Sequence, residues 1–125
     1  MRPPCPDDLE VLAKARAIIK LLYNVYREDS HLARDYQLWA ALQKPALALV
    51  GTLANAAGSG QVTYYSKGVS FARSHCAELR TLLDAAQDVG GIETSNHRAL
   101  QAIVVEVQTM LNQLGAALEK RLVGC

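Results

Sequence analysis

Apolar residues recur along this chain at alternating steps of three and four residues, the spacing that places side chains on one face of an α-helix. The clearest run consists of Tyr65, Val69, Ala72, Cys76, Leu79, Leu83 and Ala86. Three other segments have helical periodicity, and no strand pattern competes with them. The pattern predicts four helices, over residues of about 7–28, 33–58, 61–89 and 94–122.

The first and fourth predicted helices have wider apolar faces than one core contact requires. In the first, a line of Val11, Ala15, Ile18, Leu22 and Val25 runs beside a second line of Leu12, Ile19, Tyr23 and Tyr26. Together they exceed the stripe of about 100° that faces a single core. In the fourth, Val105 and Met110 widen the line that contains Leu100 and Leu111. This surplus predicts a second buried contact.

Residues that end helices lie between the periodic segments. Pro45 has no backbone amide to donate and crowds the preceding turn, so we expect it to kink the second helix or break it in two. Gly90 and Gly91 are expected to end the third helix through a left-handed conformation. Since short connections make successive helices antiparallel, the prediction is an all-α, up-down-up-down four-helix bundle, with residues 1–125 forming one domain.

Composition and charge favour a soluble cytoplasmic protein. The 125 residues include 13 basic and 12 acidic side chains, so no charge excess indicates a nucleic acid or a membrane as partner. The first residues are followed by no apolar run, and a secretory signal is not expected. The longest apolar stretch, residues 45–57, is shorter than the roughly 20 residues of a membrane span. Three cysteines form neither a disulfide framework nor a metal-ligand spacing.

No set of residues has the spacing of a catalytic, cofactor or metal site. Glu28 and His31 have the Glu-x-x-His spacing of a di-iron bundle, but they lie where the first helix should end. His75 and Cys76 are adjacent, and adjacent helical residues point about 100° apart. We interpret Cys76 as a small core residue rather than a nucleophile. Gly58–Gly60 lacks the Lys and Ser or Thr of a P-loop. The expectation is a protein that is not an enzyme and holds no cofactor or metal.

Two lines of basic residues are candidates for contact with phosphates. Arg16, Lys20 and Arg27 fall on one stripe of the first helix, and Arg73 and Arg80 on one stripe of the third. An alternative is that both are ordinary solvated faces. The basic residues of the first helix lie towards its carboxyl end, where they complement the helix dipole. Asp84, four residues beyond Arg80, can offset that charge.

The order and spacing of several motifs resemble a known family. The run over residues 76–92, CAELRTLLDAAQDVGGI, resembles the third helix of the four-helix-bundle proteins encoded in intervening sequences of bacterial large-subunit ribosomal RNA. Residues 8–11 and 14–16, together with Leu53 and Ala54, resemble the opening motif and part of the second-helix motif. The resemblance covers essentially the whole chain. The family fold is also similar to the accessory variability determinant of diversity-generating retroelements.

The resemblance implies a ring of bundles with five-fold symmetry, in which the surplus apolar surface of the first and fourth helices is covered by other copies. The leading hypothesis is therefore a non-catalytic cytoplasmic homo-oligomer, a homopentamer, that acts as a scaffold or binding protein for a macromolecular partner, either RNA or protein. The alternative is an RNA-binding adaptor. In that case a ring would repeat the five basic residues so that weak patches add through multivalency.

Overall fold

The described part of the chain contains four α-helices and no strand, as predicted. A computed structural model describes residues 6–124, with side chains described for 10–120. The helices are α1, Pro6–Glu28; α2, Tyr36–Gly58; α3, Val62–Asp88; and α4, Thr94–Gly124. A single 3-10 turn, Leu32–Arg34, lies between α1 and α2. The cysteines at positions 5 and 125 have side chains outside the described residues.

The helices pack in cyclic order around one core. Within residues 6–124, α1 contacts α2 and α4, α3 also contacts α2 and α4, and neither diagonal pair is in contact. The first apolar line of α1 and the whole apolar run of α3 are buried. On α4, the buried residues are Leu100, Val104, Val107, Leu111, Leu114 and Leu118. One apolar side of each helix therefore faces the centre, as the periodicity requires.

The second apolar line of α1 packs against α2 within the same chain. Trp39 is buried, and its ring stacks on Tyr26 with a centroid distance of 4.2 Å and meets Tyr23 edge-on at 4.9 Å. Gln43 Nε2 also donates a hydrogen bond to the Tyr23 hydroxyl. Part of the surplus apolar surface that the sequence shows on α1 is thus covered by α2.

The second helix begins later than predicted. It begins at Tyr36 rather than near residue 33, because the chain first makes the 3-10 turn and then Asp35 accepts a hydrogen bond from the Leu38 amide at 3.0 Å. This is an N-cap. Of the two effects expected of Pro45, a break is not found, since this buried residue lies inside one continuous helix, and a kink stays a prediction.

Buried Asp29 joins the two helix connections at one end of the molecule. Its side chain exposes 0% of its surface. Oδ1 accepts hydrogen bonds from the amides of His31 and Leu32, at 2.9 and 3.2 Å. Oδ2 accepts one from the Glu93 amide and one from Asn96 Nδ2, both at 2.9 Å. The α1–α2 connection is thereby fixed to the start of α4.

Glycines end α3 at its carboxyl terminus and allow this helix to pack closely against α2. Gly90 has a φ of +70°, and the Gly90 and Gly91 amides donate to the carbonyls of Gln87 and Ala86. This is the predicted left-handed helix end. At Gly68, an added Cβ would lie 2.2 Å from the Cβ of Ala56. The absence of a side chain at this position sets the close packing of α2 on α3.

Candidate functional site

The five predicted basic residues are exposed but form two separate groups. Arg16, Lys20 and Arg27 lie on the side of α1 opposite its buried line. Arg73 and Arg80 lie on α3, which does not contact α1. A single chain therefore does not bring the two groups together.

Arg73 and Arg80 border the junction of α3 and α4. Arg80 Nη1 donates a hydrogen bond to Gln108 Oε1 of α4 at 2.7 Å. Arg73 lies beside Ser70, Ser74 and Gln108 at an open depression of about 350 Å³. Hydroxyl, amide and guanidinium donors at one depression are groups that can bind phosphate oxygens.

Polar contacts continue along the same junction at Asp84. His97 Nε2 lies 2.8 Å from Asp84 Oδ1, and Gln101 Nε2 donates to that oxygen at 2.9 Å. Gln101 Nε2 is also 2.9 Å from the carbonyl of Arg80. Hydrogen bonding by His97 is the main cause that lowers the pKa of Asp84 below its ordinary value. These contacts connect α3 to α4.

The groups that the sequence suggested for chemistry are not assembled into a reactive site. Cys76 is buried, and its burial raises the pKa of the thiol to about 11, against a smaller opposing effect of Arg80. A thiolate is therefore disfavoured. His75 Nδ1 lies 3.9 Å from Glu78 Oε1, one turn further along α3. Over the described residues, no three metal-ligating side chains are grouped closely enough to hold an ion.

An apolar surface follows the contact between α1 and α4. We call it the α1–α4 face and define it by Ala13, Ala17 and Leu21 on α1 and Ala99, Ile103 and Met110 on α4. Leu21, Ile103 and Met110 are only partly buried against the core. An ion pair of 3.1 Å between Lys14 and Glu106 joins the two helices within this face. The face thus retains apolar surface after the chain has folded.

A second surface, the α2–α3 groove, was not recognised in the sequence. It is an open groove of about 330 Å³ lined by Gly51, Thr52, Asn55, Ala56, Tyr64, Lys67, Gly68 and Phe71. Phe71 is 63% exposed and Tyr64 48% exposed. The sequence signal for this groove was the spacing of Tyr64, Lys67 and Phe71, at i, i+3 and i+7, which places them on one side of a helix. Their position next to the buried apolar run of α3 concealed it.

No helix among the described residues is long and apolar enough to cross a membrane.

Four α-helices in cyclic contact, with polar outer surfaces and a leucine-rich centre, define an all-α protein of the four-helix type. Residues 7–113 match the family described as 23S rRNA-intervening sequence protein, and the chain belongs to that family. This confirms the resemblance seen in the motifs. No curated protein matches the chain by sequence.

Proposed function

We propose that this protein is a non-catalytic, cytoplasmic scaffold or binding protein that assembles into a ring of identical subunits, a homopentamer, in which the α1–α4 face of each subunit packs against a different surface of its neighbour. The observation that carries the proposal is the apolar surface that remains on this face after folding. Burial of such surface between copies is favourable by roughly 25 cal/mol for each Å². The face carries a single ion pair, which can persist at the rim of a contact.

Successive helices in the proposed subunit run antiparallel. Connections of a few residues, such as 59–61 between α2 and α3, support this arrangement. Cross-helix hydrogen bonds support it as well. Arg80 pairs with Gln108, whereas Asp84, further along α3, pairs with Gln101, which is earlier on α4. The residue numbers of the bonding partners on α4 decrease as those on α3 increase, which is the order expected for antiparallel helices.

The non-catalytic part of the proposal is supported by the state of the candidate groups. The Cys76 thiol is buried and its pKa is raised. The carboxylate of Asp84 is hydrogen-bonded to His97 and Gln101. A binding role uses surfaces instead of a reactive centre. Such surfaces are present on both the α1–α4 and the α2–α3 sides.

The test is the solution mass of the full chain at micromolar concentration, measured by sedimentation equilibrium. The expected mass is five times the 13.6 kDa of one chain. Ala17→Glu places an unpaired charge in the α1–α4 face and should lower the mass. Ala85→Glu, at an exposed position of α3, is the matched control and should leave the mass unchanged. A mass of one chain for the natural sequence would reject the assembly.

A second candidate function is an RNA-binding adaptor, and a specific observation favours it. Arg16, Lys20 and Arg73 are exposed and form no ion pair with any side chain that the structure describes. Unpaired cations are available to phosphates, and a ring would repeat them around its axis.

Binding of a labelled structured RNA, followed by fluorescence anisotropy at several salt concentrations, tests this candidate. Contact with phosphates predicts an affinity that falls steeply as salt rises. Reversing the charges of Arg73 and Arg80 should weaken binding and reduce the salt dependence. If the reversed variant binds as the natural chain does, these two residues are not part of the contact.

A further inference from the structure

The α2–α3 half of the molecule contains no acidic residue over a long stretch. Residues 36–77 include Lys44, Lys67 and Arg73 but no Asp or Glu, although the whole chain has 12 acids and 13 bases. The remaining residues, with ten bases and all twelve acids, have a slight negative excess. The α2–α3 groove is lined by residues of this stretch, so the charged side chains nearest to it in the sequence are basic, whereas the acids of α3, Glu78, Asp84 and Asp88, follow further along the helix.

The groove presents two aromatic rings on either side of one cation. Tyr64 and Phe71 are two turns of α3 apart, which is about 10.5 Å along the helix axis. Lys67 lies between them on the same side of the helix and forms no ion pair with a described residue. One acid, Glu119 of α4, shares a neighbouring depression with Lys67 but does not pair with it.

The groove is open above one turn of α2 because Gly51 has no side chain. A Cβ added at Gly51 would meet no atom within 4 Å, so empty space lies above this turn of α2. Asn55 Nδ2 donates to the Tyr64 hydroxyl at 3.2 Å and helps to hold that ring beside the groove. Thr52 and Asn55 also add polar groups to a largely apolar lining.

We propose that the α2–α3 groove binds single-stranded nucleic acid, with bases stacked on Tyr64 and Phe71 and the Lys67 ammonium placed against the phosphate backbone. Exposed aromatic rings combined with a positive groove are the two features by which proteins bind single strands without sequence preference. The inference rests on nucleic-acid binding, the second candidate function, but none of the five basic residues of that function lines the groove. The groove is proposed to bind a single strand, whereas the adaptor is tested with a structured RNA, and the two contacts lie on different surfaces of the protein.

The charge of the groove favours this occupant over a second copy seated face to face. Two α2–α3 sides in contact would bring their lysines and arginines together, with no acid from residues 36–77 on either side to compensate. A polyanion supplies the missing negative charge. Base rings also match the exposed planar surfaces of Tyr64 and Phe71 better than aliphatic side chains do.

The test is anisotropy of a labelled oligouridine of about 12 nucleotides, titrated with the full chain at low salt. Phe71→Ala should weaken binding about tenfold, since stacking on one ring is lost, whereas Phe71→Trp should retain it. Gly51→Leu should also weaken binding, because its side chain fills the groove without meeting a neighbouring atom at Cβ. Tyr36→Ala, which removes a more exposed ring at the other end of α2, is the matched control and should bind normally.

Several outcomes would overturn the inference. One is the absence of oligouridine binding by the natural chain, and another is normal binding by both Phe71→Ala and Gly51→Leu. Loss of binding only on charge reversal of Arg73 and Arg80 would assign the contact to the adaptor surface instead. A change in solution mass on Phe71→Ala, with oligouridine binding unaltered, would make the groove an interface between copies. The assembly through the α1–α4 face is tested separately by the mass of Ala17→Glu.

Discussion

The carboxylate of Asp29 accepts four hydrogen bonds in a position closed to solvent. Burial acts to raise its pKa, but the hydrogen bonds from Asn96, Glu93, Leu32 and His31 together outweigh burial, so the pKa lies below the ordinary value of 3.8. The side chain is therefore ionised at neutral pH and held by donors from both helix connections.

Asp29→Asn should lower the free energy of unfolding by about 2 kcal/mol at neutral pH. The side-chain NH2 group of the asparagine would face N–H donors that now bond to a carboxylate oxygen, and buried donors would be left without an acceptor. Urea unfolding followed by circular dichroism measures the change. Asp88→Asn, an exposed acid at the end of α3, is the control and should change stability by less than about 0.5 kcal/mol. Equal effects of the two substitutions would contradict the structural role of Asp29.

The same carboxylate predicts a dependence of stability on pH. Because its folded-state pKa is below 3.8, the unfolded chain binds the proton more readily. The stabilisation by Asp29 is complete above the unfolded pKa and is lost as pH falls through the folded pKa. The difference in unfolding free energy between the natural chain and Asp29→Asn should therefore shrink between neutral pH and about pH 3. A constant difference over that range would show that the charge is not what stabilises the contact.

Cys76 should be unreactive in the folded protein. It is fully buried, and its pKa is raised to about 11. In a Cys5→Ser, Cys125→Ser variant, we expect a disulfide reagent to modify no thiol at pH 8 until denaturant is added. Rapid modification of the native variant would show that the thiol is accessible and would reopen its interpretation as a nucleophile.

At the scale of single residues, the sequence predicts the core but not Asp29. The core side chains follow a period that is visible within each helix. Asp29, in contrast, is 64 and 67 residues away from Glu93 and Asn96, and nothing local marks it as buried. A polar residue at a helix end is normally solvated, and only the packed structure shows that two connections enclose this one.

At the scale of elements, the contact between α2 and α3 depends on Gly68. Gly68→Ala should lower the free energy of unfolding by about 1–3 kcal/mol, because the new methyl group would overlap Ala56. Intrinsic helix propensity alone would give the opposite sign, since Ala is favoured over Gly by about 1 kcal/mol. Thermal or urea unfolding measures the difference.

Gly51→Ala is the matched control for this prediction, since both glycines are within helices and only Gly68 is crowded. It should raise stability by up to about 1 kcal/mol, as its Cβ enters empty space. Adding Ala56→Gly to Gly68→Ala should recover part of the loss. If Gly68→Ala stabilises the protein as Gly51→Ala does, the two helices are not in the close contact described.

Helix ends illustrate which features of elements could be predicted. Gly90 was recognised because a glycine after a periodic run indicates a left-handed helix end. The start of α2 was placed too early, since the 3-10 turn at Leu32–Arg34 has the apolar and basic residues of a helix. Pro45 was expected to kink α2 or to break it in two, and the helix is continuous through it, which excludes the break. Packing against neighbouring helices can offset its missing hydrogen bond.

At the scale of the whole molecule, the two proposed surfaces lie on different helix pairs. Within the described residues the α1–α4 face belongs to α1 and α4 and the α2–α3 groove to α2 and α3, so the two surfaces share no helix and can be tested by separate substitutions. Of the surplus apolar residues named from the sequence, only Met110 belongs to the α1–α4 face, since Tyr23 and Tyr26 pack against Trp39 of α2. The groove requires residues from two helices and became visible only in the structure.

The hydrogen bonds of Asp29 also predict that two fragments of the chain can recognise each other. Its hydrogen bonds to Glu93 and Asn96 connect the half of the chain that contains α1 and α2 to the half that contains α3 and α4, and residues 59–61 join these halves covalently. A chain cut after Gly60 should therefore reassemble from its two halves. Mixing the halves should restore helical circular dichroism at a one-to-one ratio, and Asp29→Asn in the first half should weaken the recombination. Each half thus carries a recognition element for the other, independent of the peptide bond that joins them.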